Sequence, residues 1–431
     1  MLTYSLNGNL SGQVCCPISK SELHRLILAC SLSQGCSIIK GCTLSDDIRA
    51  TASVMKTLGA KITFEENAIY IQGISQENIS KEILQCPCGE SGSTLRFLVP
   101  LCGALSRPSC FTGQGRLAQR PMKPLLEQLR LHGLSLSHPE NGDTLPLTLS
   151  GNLKAGTYHF PGNVSSQYIT GLLFALPLLS GNSQILLTSP LESLSYVNMT
   201  LDVLKRFGIS IHAIENGWEI PGNQQYRSPG TLTANGDWSA AAFWLCAGAL
   251  SKSGSITITG IDPHSLQGDC AVCSVLEQMG AKLISQENSV TVFPGNLHGI
   301  TIDGSQIPDI IPILSVAAAF AQGETRIKNA GRLRIKESDR LHAMYENLTS
   351  LGADVQELPD GFIIHGKKQL EGGSVSSYND HRIAMSMAVA SLRCRQPVLL
   401  RSPLCVAKSY PEFYQDFKKL GGNIHVIHLG E

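Results

Sequence analysis

Five of the seven residues from Arg334 to Arg340 are charged, in a chain of 431 residues of which only 16% are charged. The segment comes just before the amphipathic run 341–351, which predicts that it lies at the N-terminus of a helix. Backbone N–H groups and the helix dipole favour a bound anion there. Lys336 and Arg340 oppose that dipole, which indicates a partner outside the helix. A solvated loop capped by Ser338 or Asp339 is the simpler alternative.

Cations recur before other predicted helices, where capping does not explain them because a positive charge is unfavourable at that end. They are Lys20, Arg120, Arg382 and Lys408. Their repetition at one kind of position indicates a highly anionic ligand. Because 34 Lys and Arg balance 34 Asp and Glu, such an anion site must be local.

Two carboxylates beside these cations suggest acid–base chemistry. Glu337 sits between Lys336 and Arg340, so its charge is stabilised, and protons could be relayed through Lys20 or solvent. Asp309 precedes a very apolar run, where burial would raise its pKa and favour a general base.

Other polar residues at predicted helix starts have two interpretations. Ser45, Asp237 and Asp269 are all suited to capping a helix. Ser165-Ser166-Gln167 also suits a turn, and Asp380 suits a cap with His381 as its neighbour. Capping and ligand binding can coexist in one residue.

The elements that must position these residues form an internal repeat. An amphipathic helix ending in Gly, followed by a β-hairpin, recurs six times at intervals of about 70 residues. Each glycine stands where a positive φ would end the helix. The six are Gly59, Gly133, Gly208, Gly280, Gly352 and Gly421.

Between these modules lie six helical runs that are apolar nearly all round and must therefore be buried. Six units divide naturally into two groups of three, because the segment 222–236 is polar and contains Pro229-Gly230 and Asn235-Gly236, as expected of a linker. The predicted fold is α/β, with two similar lobes facing each other across a cleft. We expect residues 19–225 in one lobe, and residues 1–18 and 226–431 in the other.

Composition and terminal sequence exclude several classes. Zero net charge argues against nucleic-acid or anionic-membrane binding. Neither a membrane span nor a signal peptide is recognisable, so a cytoplasmic protein is expected. The 14 cysteines are expected to be free thiols. A metal site at Cys270 and Cys273, or at Cys86 and Cys88, is the less favoured alternative, and no metal or other cofactor is predicted.

An ordered set of motifs along the whole chain resembles the 5-enolpyruvylshikimate-3-phosphate synthase family. Each motif is weak by itself, but the set in this order is highly specific. The motifs are Ser19-Lys20-Ser21 with Arg25, Ser45-Asp46-Asp47-Ile48-Arg49, Gly92 with Arg96, Arg120-Pro121, Val164-Ser165-Ser166-Gln167-Tyr168, Ile307-Pro308-Asp309, Lys336-Glu337-Ser338-Asp339-Arg340-Leu341, Asn379-Asp380-His381-Arg382 and Ala407-Lys408-Ser409-Tyr410-Pro411.

The resemblance implies that each lobe is an inside-out α/β barrel of three βαβαββ repeats. It also implies transfer of the enolpyruvyl group of phosphoenolpyruvate to the 5-hydroxyl of shikimate 3-phosphate, without a metal, in the pathway to chorismate and aromatic amino acids. The implied partners are these two small molecules, and the chain is expected to act as a monomer.

The resemblance also implies the residue roles. The implied catalytic residues are Lys20, Asp309 and Glu337. Phosphoenolpyruvate would be held by Lys20, Gly92, Arg120, Gln167, Arg340, Arg382 and Lys408. Shikimate 3-phosphate would be held by Lys20, Ser21, Arg25, Ser165, Ser166, Gln167, Ser193, Asp309 and Lys336.

Two departures from the family pattern are visible. His24 stands where the family often has Asn, and Glu90 to Phe97 differs from the usual Asn-Ala-Gly-Thr-Ala-x-Arg-Pro. The herbicide glyphosate targets this family, and the resemblance implies that it binds beside that loop.

The nearest rival reading is the sister family that uses UDP-N-acetylglucosamine. That family usually has Lys-Asn near its start and a reactive Cys before Arg-Pro, whereas this chain has Lys20-Ser21 and no Cys in 113–119. A non-catalytic anion-binding scaffold and an RNA-end cyclase with related repeats are the readings from other classes, and neither needs Glu337 or Asp309.

Overall fold

The computed structural model describes residues 2–41, 44–75, 82–139 and 144–428. The helices are α1 (Lys20–Leu32), α2 (Asp46–Thr57), α3 (Gly92–Ala104), α4 (Lys123–Leu131), α5 (Ser166–Ala175), α6 (Leu194–Arg206), α7 (Trp238–Leu250), α8 (Val272–Gln278), α9 (Ile311–Ala319), α10 (Arg340–Ser350), α11 (His381–Ala390) and α12 (Phe413–Lys419).

The strands fall between these helices. They are β1 (Leu2–Gly8), β2 (Gly12–Cys15), β3 (Cys36–Lys40), β4 (Lys61–Glu65), β5 (Ala68–Gln72), β6 (Leu84–Pro87), β7 (Ser109–Thr112), β8 (Leu134–Ser137), β9 (Leu147–Gly151), β10 (Thr157–Phe160), β11 (Ser183–Leu187), β12 (His212–Ile214), β13 (Gly217–Ile220), β14 (Thr231–Thr233), β15 (Ile256–Thr259), β16 (Lys282–Gln286), β17 (Ser289–Phe293), β18 (Thr301–Asp303), β19 (Glu324–Lys328), β20 (Asp354–Leu358), β21 (Gly361–His365), β22 (Gly373–Ser376), β23 (Val398–Arg401) and β24 (Gly422–His428).

The chain divides into two compact units, residues 20–234 and residues 1–19 with 235–431. Ser19, which we expected with residues 20–225, belongs to the other unit, and residues 226–234, which we expected in the C-terminal lobe, belong to the unit 20–234. The reason is β14, which pairs in parallel with β3, Thr231 lying opposite Ile38. The N-terminal residues join the other unit because β1 is hydrogen-bonded between β23 and β24.

Within the described ranges, each unit contains three four-stranded sheets with the same strand arrangement. The orders are β14-β3-β5-β4, β6-β7-β9-β8 and β10-β11-β13-β12 in the unit 20–234, and β2-β15-β17-β16, β18-β19-β21-β20 and β22-β23-β1-β24 in the other. In every sheet the first pair of strands is parallel and the other two pairs are antiparallel. The six-fold βαβαββ repeat predicted from the sequence is therefore confirmed.

The helices without a polar face form the interior of each unit. All nine residues of α9 and all ten of α11 are buried, and in α7 only Ser239 is not. In the other unit α3 packs against α5. Burial on every side follows from the absence of a polar stripe, because such a helix has no face to give to water. Helices inside and sheets around them make each unit the expected inside-out barrel.

The six helix-ending glycines are confirmed as left-handed caps. Gly59, Gly133, Gly208, Gly280, Gly352 and Gly421 have φ angles of 108°, 96°, 77°, 95°, 90° and 107°. An L side chain in this conformation would be strained, so the sequence signal at these positions has a direct steric cause.

None of the helices within the described ranges is both long and apolar enough to cross a membrane. Thirteen cysteines are described, and each carries a free thiol. Cys42 lies outside the described residues. In the part of the chain that the structure covers, no three His, Cys, Asp or Glu side chains come together as a potential metal site.

Candidate active site

In the unit formed by residues 1–19 and 235–431, three cations surround Asp309 in the turn before α9. Arg340 Nη1 lies 3.0 Å and Lys336 Nζ 3.6 Å from Asp309 Oδ1, and Arg382 Nη2 lies 3.1 Å from Oδ2. Arg382 Nη1 also donates to the Asp309 carbonyl oxygen at 3.0 Å. The apolar surroundings that we expected for Asp309 are thus replaced by a cationic cluster.

Arg340 is the centre of this group, and its side chain is only 1% exposed. It donates from Nη2 to Glu337 at 2.7 Å and from Nε to Asp380 at 2.8 Å, in addition to its bond with Asp309. These carboxylates raise the pKa of Arg340 further above its ordinary value, in spite of burial. We refer to Asp309, Lys336, Glu337, Arg340, Asp380 and Arg382 as the Asp309 cluster.

Lys336 is the member of the Asp309 cluster whose protonation responds near neutral pH. Burial lowers its pKa to about 8, although the nearby Asp309 acts in the opposite direction. An ammonium group with this pKa can release or take up a proton under ordinary conditions, which an unperturbed lysine does not do.

Asp380 is both a helix cap and a ligand of a cation, so the two interpretations of this residue hold together. Its side chain is fully buried, and Oδ1 accepts from the backbone N–H of Arg382 at 2.9 Å. Oδ2 accepts from Ser338 Oγ at 3.0 Å and from Arg340. Lys408 Nζ donates to the carbonyl oxygen of Asn379, the residue before Asp380, at 2.6 Å.

Asp269 is a buried acid whose role sequence reasoning missed, since we interpreted it as a helix cap. Its Oδ2 accepts a short hydrogen bond from Ser239 Oγ, and Asp269 lies inside the 3-10 turn Gly268–Ala271, whose cap residue is Gln267. Burial, and secondarily the charge of Asp309, raise the pKa of Asp269 to about 7, while Arg382 lowers it. The sequence feature that could have identified Asp269 was its position before a predicted helix. The segment 336–340, which contains Glu337, has the corresponding position in the next repeat.

In the unit 20–234, the predicted residues group around the N-termini of α1, α3 and α5. Lys20, the first residue of α1, lies 2.7 Å from Asp47. Arg96 donates from Nη1 to Gln167 Oε1 at 2.7 Å and from Nη2 to the Pro121 carbonyl at 2.9 Å. Gln167 in turn donates to Ser93 at 3.0 Å. Arg96 thereby fixes a residue that the resemblance assigned to both substrates.

Arg120 lies directly over Gly92 at the start of α3. A Cβ atom built on Gly92 would meet the Arg120 guanidinium, 2.7 Å from Nη1 and 2.8 Å from Cζ. Such contacts are shorter than any that real Cβ atoms make, so a glycine is required here for Arg120 to hold its present position.

Arg25 is engaged mainly with its own protein. It donates to Thr200 Oγ1 at 2.8 Å, to the Ser21 carbonyl at 2.6 Å and to the Tyr196 carbonyl at 3.0 Å. A weaker bond of 3.4 Å joins it to Thr170. The bonds to Thr200 and Tyr196 hold α1 against α6. Because a guanidinium has five N–H groups, about one donor of Arg25 is left for a ligand.

The four serines assigned to shikimate 3-phosphate stand at three helix starts of this unit, and Ser21 is the second residue of α1. Ser165 caps α5 by accepting from the Gln167 N–H at 3.3 Å, and Ser166 is the first residue of that helix. Ser193 precedes α6 with a φ of 57° and makes no side-chain cap bond. Residues other than glycine rarely have a positive φ, so the backbone at Ser193 is held in an uncommon conformation.

Of the five cations expected at helix starts, three lie at the start of an α-helix and two do not. Arg340 begins α10, Lys20 begins α1 and Arg382 is the second residue of α11. Arg120 instead follows a 3-10 turn, three residues before α4, and Lys408 ends the 3-10 turn Pro403–Lys408, before α12. The partners of these cations also differ from the expected external anion, because Lys20, Arg340 and Arg382 each bind a carboxylate of the chain itself. An external anion is not needed to explain those three charges.

The sequence and the fold both match a known family. The family model of EPSP synthase (3-phosphoshikimate 1-carboxyvinyltransferase) matches residues 5–417. A 3-phosphoshikimate 1-carboxyvinyltransferase of Clostridium perfringens is 48% identical over 421 residues, which cover 96% of this chain and 97% of that protein. The protein of the same name from Clostridium acetobutylicum is 46% identical over 426 residues, covering 98% of each chain.

Solved structures agree with this assignment. An EPSP synthase from Acinetobacter baumannii superposes with a TM-score of 0.84 at 26% identity, covering 99% of this chain and 100% of that one. The enolpyruvyl transferase NikO from Streptomyces tendae, at 18% identity, shares the fold with a TM-score of 0.81 over 100% of this chain and 99% of that one. This chain belongs to the EPSP synthase family.

Proposed function

We propose that this chain transfers the enolpyruvyl group of phosphoenolpyruvate to the 5-hydroxyl of shikimate 3-phosphate and releases phosphate. The observation that carries the proposal is the Asp309 cluster, in which three carboxylates are paired with one buried guanidinium beside two further cations. Such a site combines a base, an acid and stabilisation of anionic charge. The names of relatives that are 46% and 48% identical over nearly the whole chain support the same reaction.

The first chemical step in the proposal is an addition. A proton is delivered to C3 of phosphoenolpyruvate, which makes C2 electrophilic, and Asp309 accepts the proton of the attacking 5-hydroxyl. Glu337 and Lys20 are our candidates for the C3 proton transfer. In the second step the tetrahedral adduct loses a proton from C3 and expels phosphate, which forms the enol ether. The proton count is therefore balanced over the two steps.

The cations supply charge stabilisation in both steps. We assign phosphoenolpyruvate to Lys20, Gly92, Arg120, Gln167, Arg340, Arg382 and Lys408, and shikimate 3-phosphate to Lys20, Ser21, Arg25, Ser165, Ser166, Gln167, Ser193, Asp309 and Lys336. Four of the five N–H groups of Arg340 already point to carboxylates. Its main task in this proposal is to hold Asp309 and Glu337, with one N–H of Nη1 left for the substrate.

Phosphate release tests the proposal. We expect inorganic phosphate to appear only when phosphoenolpyruvate and shikimate 3-phosphate are supplied together, with an equal amount of enolpyruvyl product by mass spectrometry. Release with UDP-N-acetylglucosamine in place of shikimate 3-phosphate would assign the chain to the sister reaction. No release with either acceptor would overturn the proposed activity. We also propose that one chain carries a complete site, so specific activity should not depend on protein concentration.

A further inference from the structure

The loop that carries Lys336 and Glu337 is closed at its base by an ion pair. Arg334, in the 3-10 turn Gly331–Ile335, directs Nη1 to both carboxylate oxygens of Asp339, at 3.1 Å and 3.3 Å. Residues 335–338 lie between these two partners. The ion pair therefore restrains both ends of the segment that holds two members of the Asp309 cluster.

Arg334 also attaches this loop to the turn between β20 and β21. Its Nε donates to the Pro359 carbonyl at 2.9 Å and its Nη2 to the Leu358 carbonyl at 2.7 Å. Its Nη1 lies 2.7 Å from Glu357 Oε1. One planar guanidinium thus binds two backbone carbonyls and two carboxylates, which the single ammonium group of a lysine cannot reproduce in the same geometry.

His342 completes a ring with these groups. Its Nδ1 lies 3.1 Å from Glu357 Oε2, and its backbone N–H donates to Asp339 Oδ1 at 3.0 Å. Asp339 is the cap of α10, so the ring connects the hairpin, the helix start and the loop. We call Arg334, Asp339, His342 and Glu357 the loop latch.

On the other side of the loop, contacts with Asp380 restrain its C-terminal end. Ser338 and Arg340 both bind Asp380. Lys336 and Glu337 lie N-terminal to these contacts, and the loop latch holds the chain just before them. If Arg334 released the hairpin and Asp339, the backbone at 335–337 would have fewer restraints, and Lys336 and Glu337 would lose their fixed distances to Asp309 and Arg340.

We propose that Arg334 is a positioning residue for the reaction: it holds the loop 335–338 so that Lys336 and Glu337 meet Asp309 and Arg340. This inference rests on the proposed function. None of the hydrogen-bond partners of Arg334 described above is a residue that we assign to the substrates. Its effect comes from geometry, because misplacement of a catalytic group by about 1 Å can cost about 100-fold in rate.

The test compares Arg334→Met with Arg395→Met. Arg395 is a matched control in the same unit, since it is an exposed arginine, 62% accessible, that pairs with Glu371 at 3.4 Å and does not contact the loop. We expect Arg334→Met to lower kcat by about 10- to 100-fold, with the KM for phosphoenolpyruvate and the unfolding temperature close to wild type, and with a changed pH profile of kcat. Arg395→Met should match wild type in kcat, in the KM for phosphoenolpyruvate, in unfolding temperature and in the pH profile of kcat.

A second variant distinguishes loss of positioning from loss of folding. Arg334→Lys keeps the positive charge and most of the side-chain volume, and it should still lose part of the kcat because it cannot make the forked contacts. Equal kcat for Arg334→Met and Arg395→Met would overturn the inference. A loss of kcat that only parallels a fall in unfolding temperature, with Arg334→Lys fully active, would also overturn it. An inactive wild-type protein would instead contradict the proposed function.

Discussion

Arg340 Nη1 donates to Asp309 Oδ1 at 3.0 Å, inside a unit where Arg340 is almost completely buried. The same guanidinium binds Glu337 on Nη2 at 2.7 Å. The carboxylate that we propose as base and the one that we propose as acid are therefore placed by one rigid, planar group. This arrangement fixes the distance between them, and it makes both dependent on the counter-charges that keep Arg340 in place.

Loss of the Asp380 charge should destabilise the protein. Asp380→Asn preserves the shape but removes a fully buried counter-charge of Arg340. Breaking a buried ion pair from one side costs about 3 to 5 kcal/mol, and the remaining partners Asp309 and Glu337 should reduce that cost toward the lower end. A clearly lower unfolding temperature, measured by calorimetry, is the expected result.

The matched control for Asp380→Asn is Asp339→Asn. This residue also caps a helix and also pairs with an arginine, but its side chain is 34% exposed. Asparagine remains a good cap, and an exposed pair contributes about 0 to 1 kcal/mol, so a small change is expected. Equal destabilisation by the two substitutions would show that burial of the Arg340 pair is not what matters.

Glu337→Gln should separate binding from turnover. The amide oxygen can still accept from Arg340, so the loop should hold its position, while the proton-transfer group is lost. We expect kcat to fall by about 100- to 10,000-fold, with both KM values within about threefold of wild type. Steady-state kinetics and equilibrium binding of shikimate 3-phosphate measure this difference.

Glu346→Gln serves as the comparison for Glu337→Gln, because Glu346 is an exposed acid on α10, the helix that follows the Glu337 loop. It should leave kcat unchanged. Turnover by Glu337→Gln at the wild-type rate would remove Glu337 from the proton-transfer role.

Gly92→Ala should weaken phosphoenolpyruvate binding selectively. The new methyl group would overlap the Arg120 guanidinium, which must then move away from its present position. Since we assign Arg120 to phosphoenolpyruvate, we expect the KM for that substrate to rise by about tenfold or more, corresponding to about 1.4 kcal/mol. The KM for shikimate 3-phosphate should change much less. Arg120→Lys should affect the same KM, and an equal rise in both KM values for Gly92→Ala would contradict this explanation.

Asp269→Asn should change how stability depends on pH. Folding raises the pKa of Asp269 to about 7 from its ordinary value of 3.8, mainly through burial. Between these two values the folded state binds the proton more tightly than the unfolded state, so this group makes stability fall as pH rises, by up to about 1.4 kcal/mol per pH unit. The penalty is complete above about pH 7 and absent below about pH 4.

Asparagine carries no such charge, so the unfolding temperature of Asp269→Asn relative to wild type should increase as the pH is raised from 5 to 8. Calorimetry at several pH values measures it, with Glu371→Gln as a control because Glu371 is 66% exposed. Parallel pH profiles for Asp269→Asn and wild type would show that Asp269 does not titrate in this range.

A large part of the fold could be predicted from the sequence, because it depends on the local chemistry of individual residues. A glycine at a helix end indicates a positive φ, as at Gly59 and Gly352, because glycine adopts that conformation at a lower steric cost than residues with a Cβ atom. A helical run without a polar face, such as α9, reports burial on all sides. The same repeating signals predicted six units, and the ordered motifs pointed to the family.

Tertiary structure alone decided which charges meet. The three carboxylates around Arg340 are Glu337 from its own loop, Asp309 from the turn before α9 and Asp380 from the start of α11. The carbonyl partners of Arg334 come from a hairpin. Sequence showed the cations but not these partners, and so suggested an external anion for Arg340. Helix caps depend on neighbours in the chain, whereas a buried ion pair depends on how separate repeats pack together.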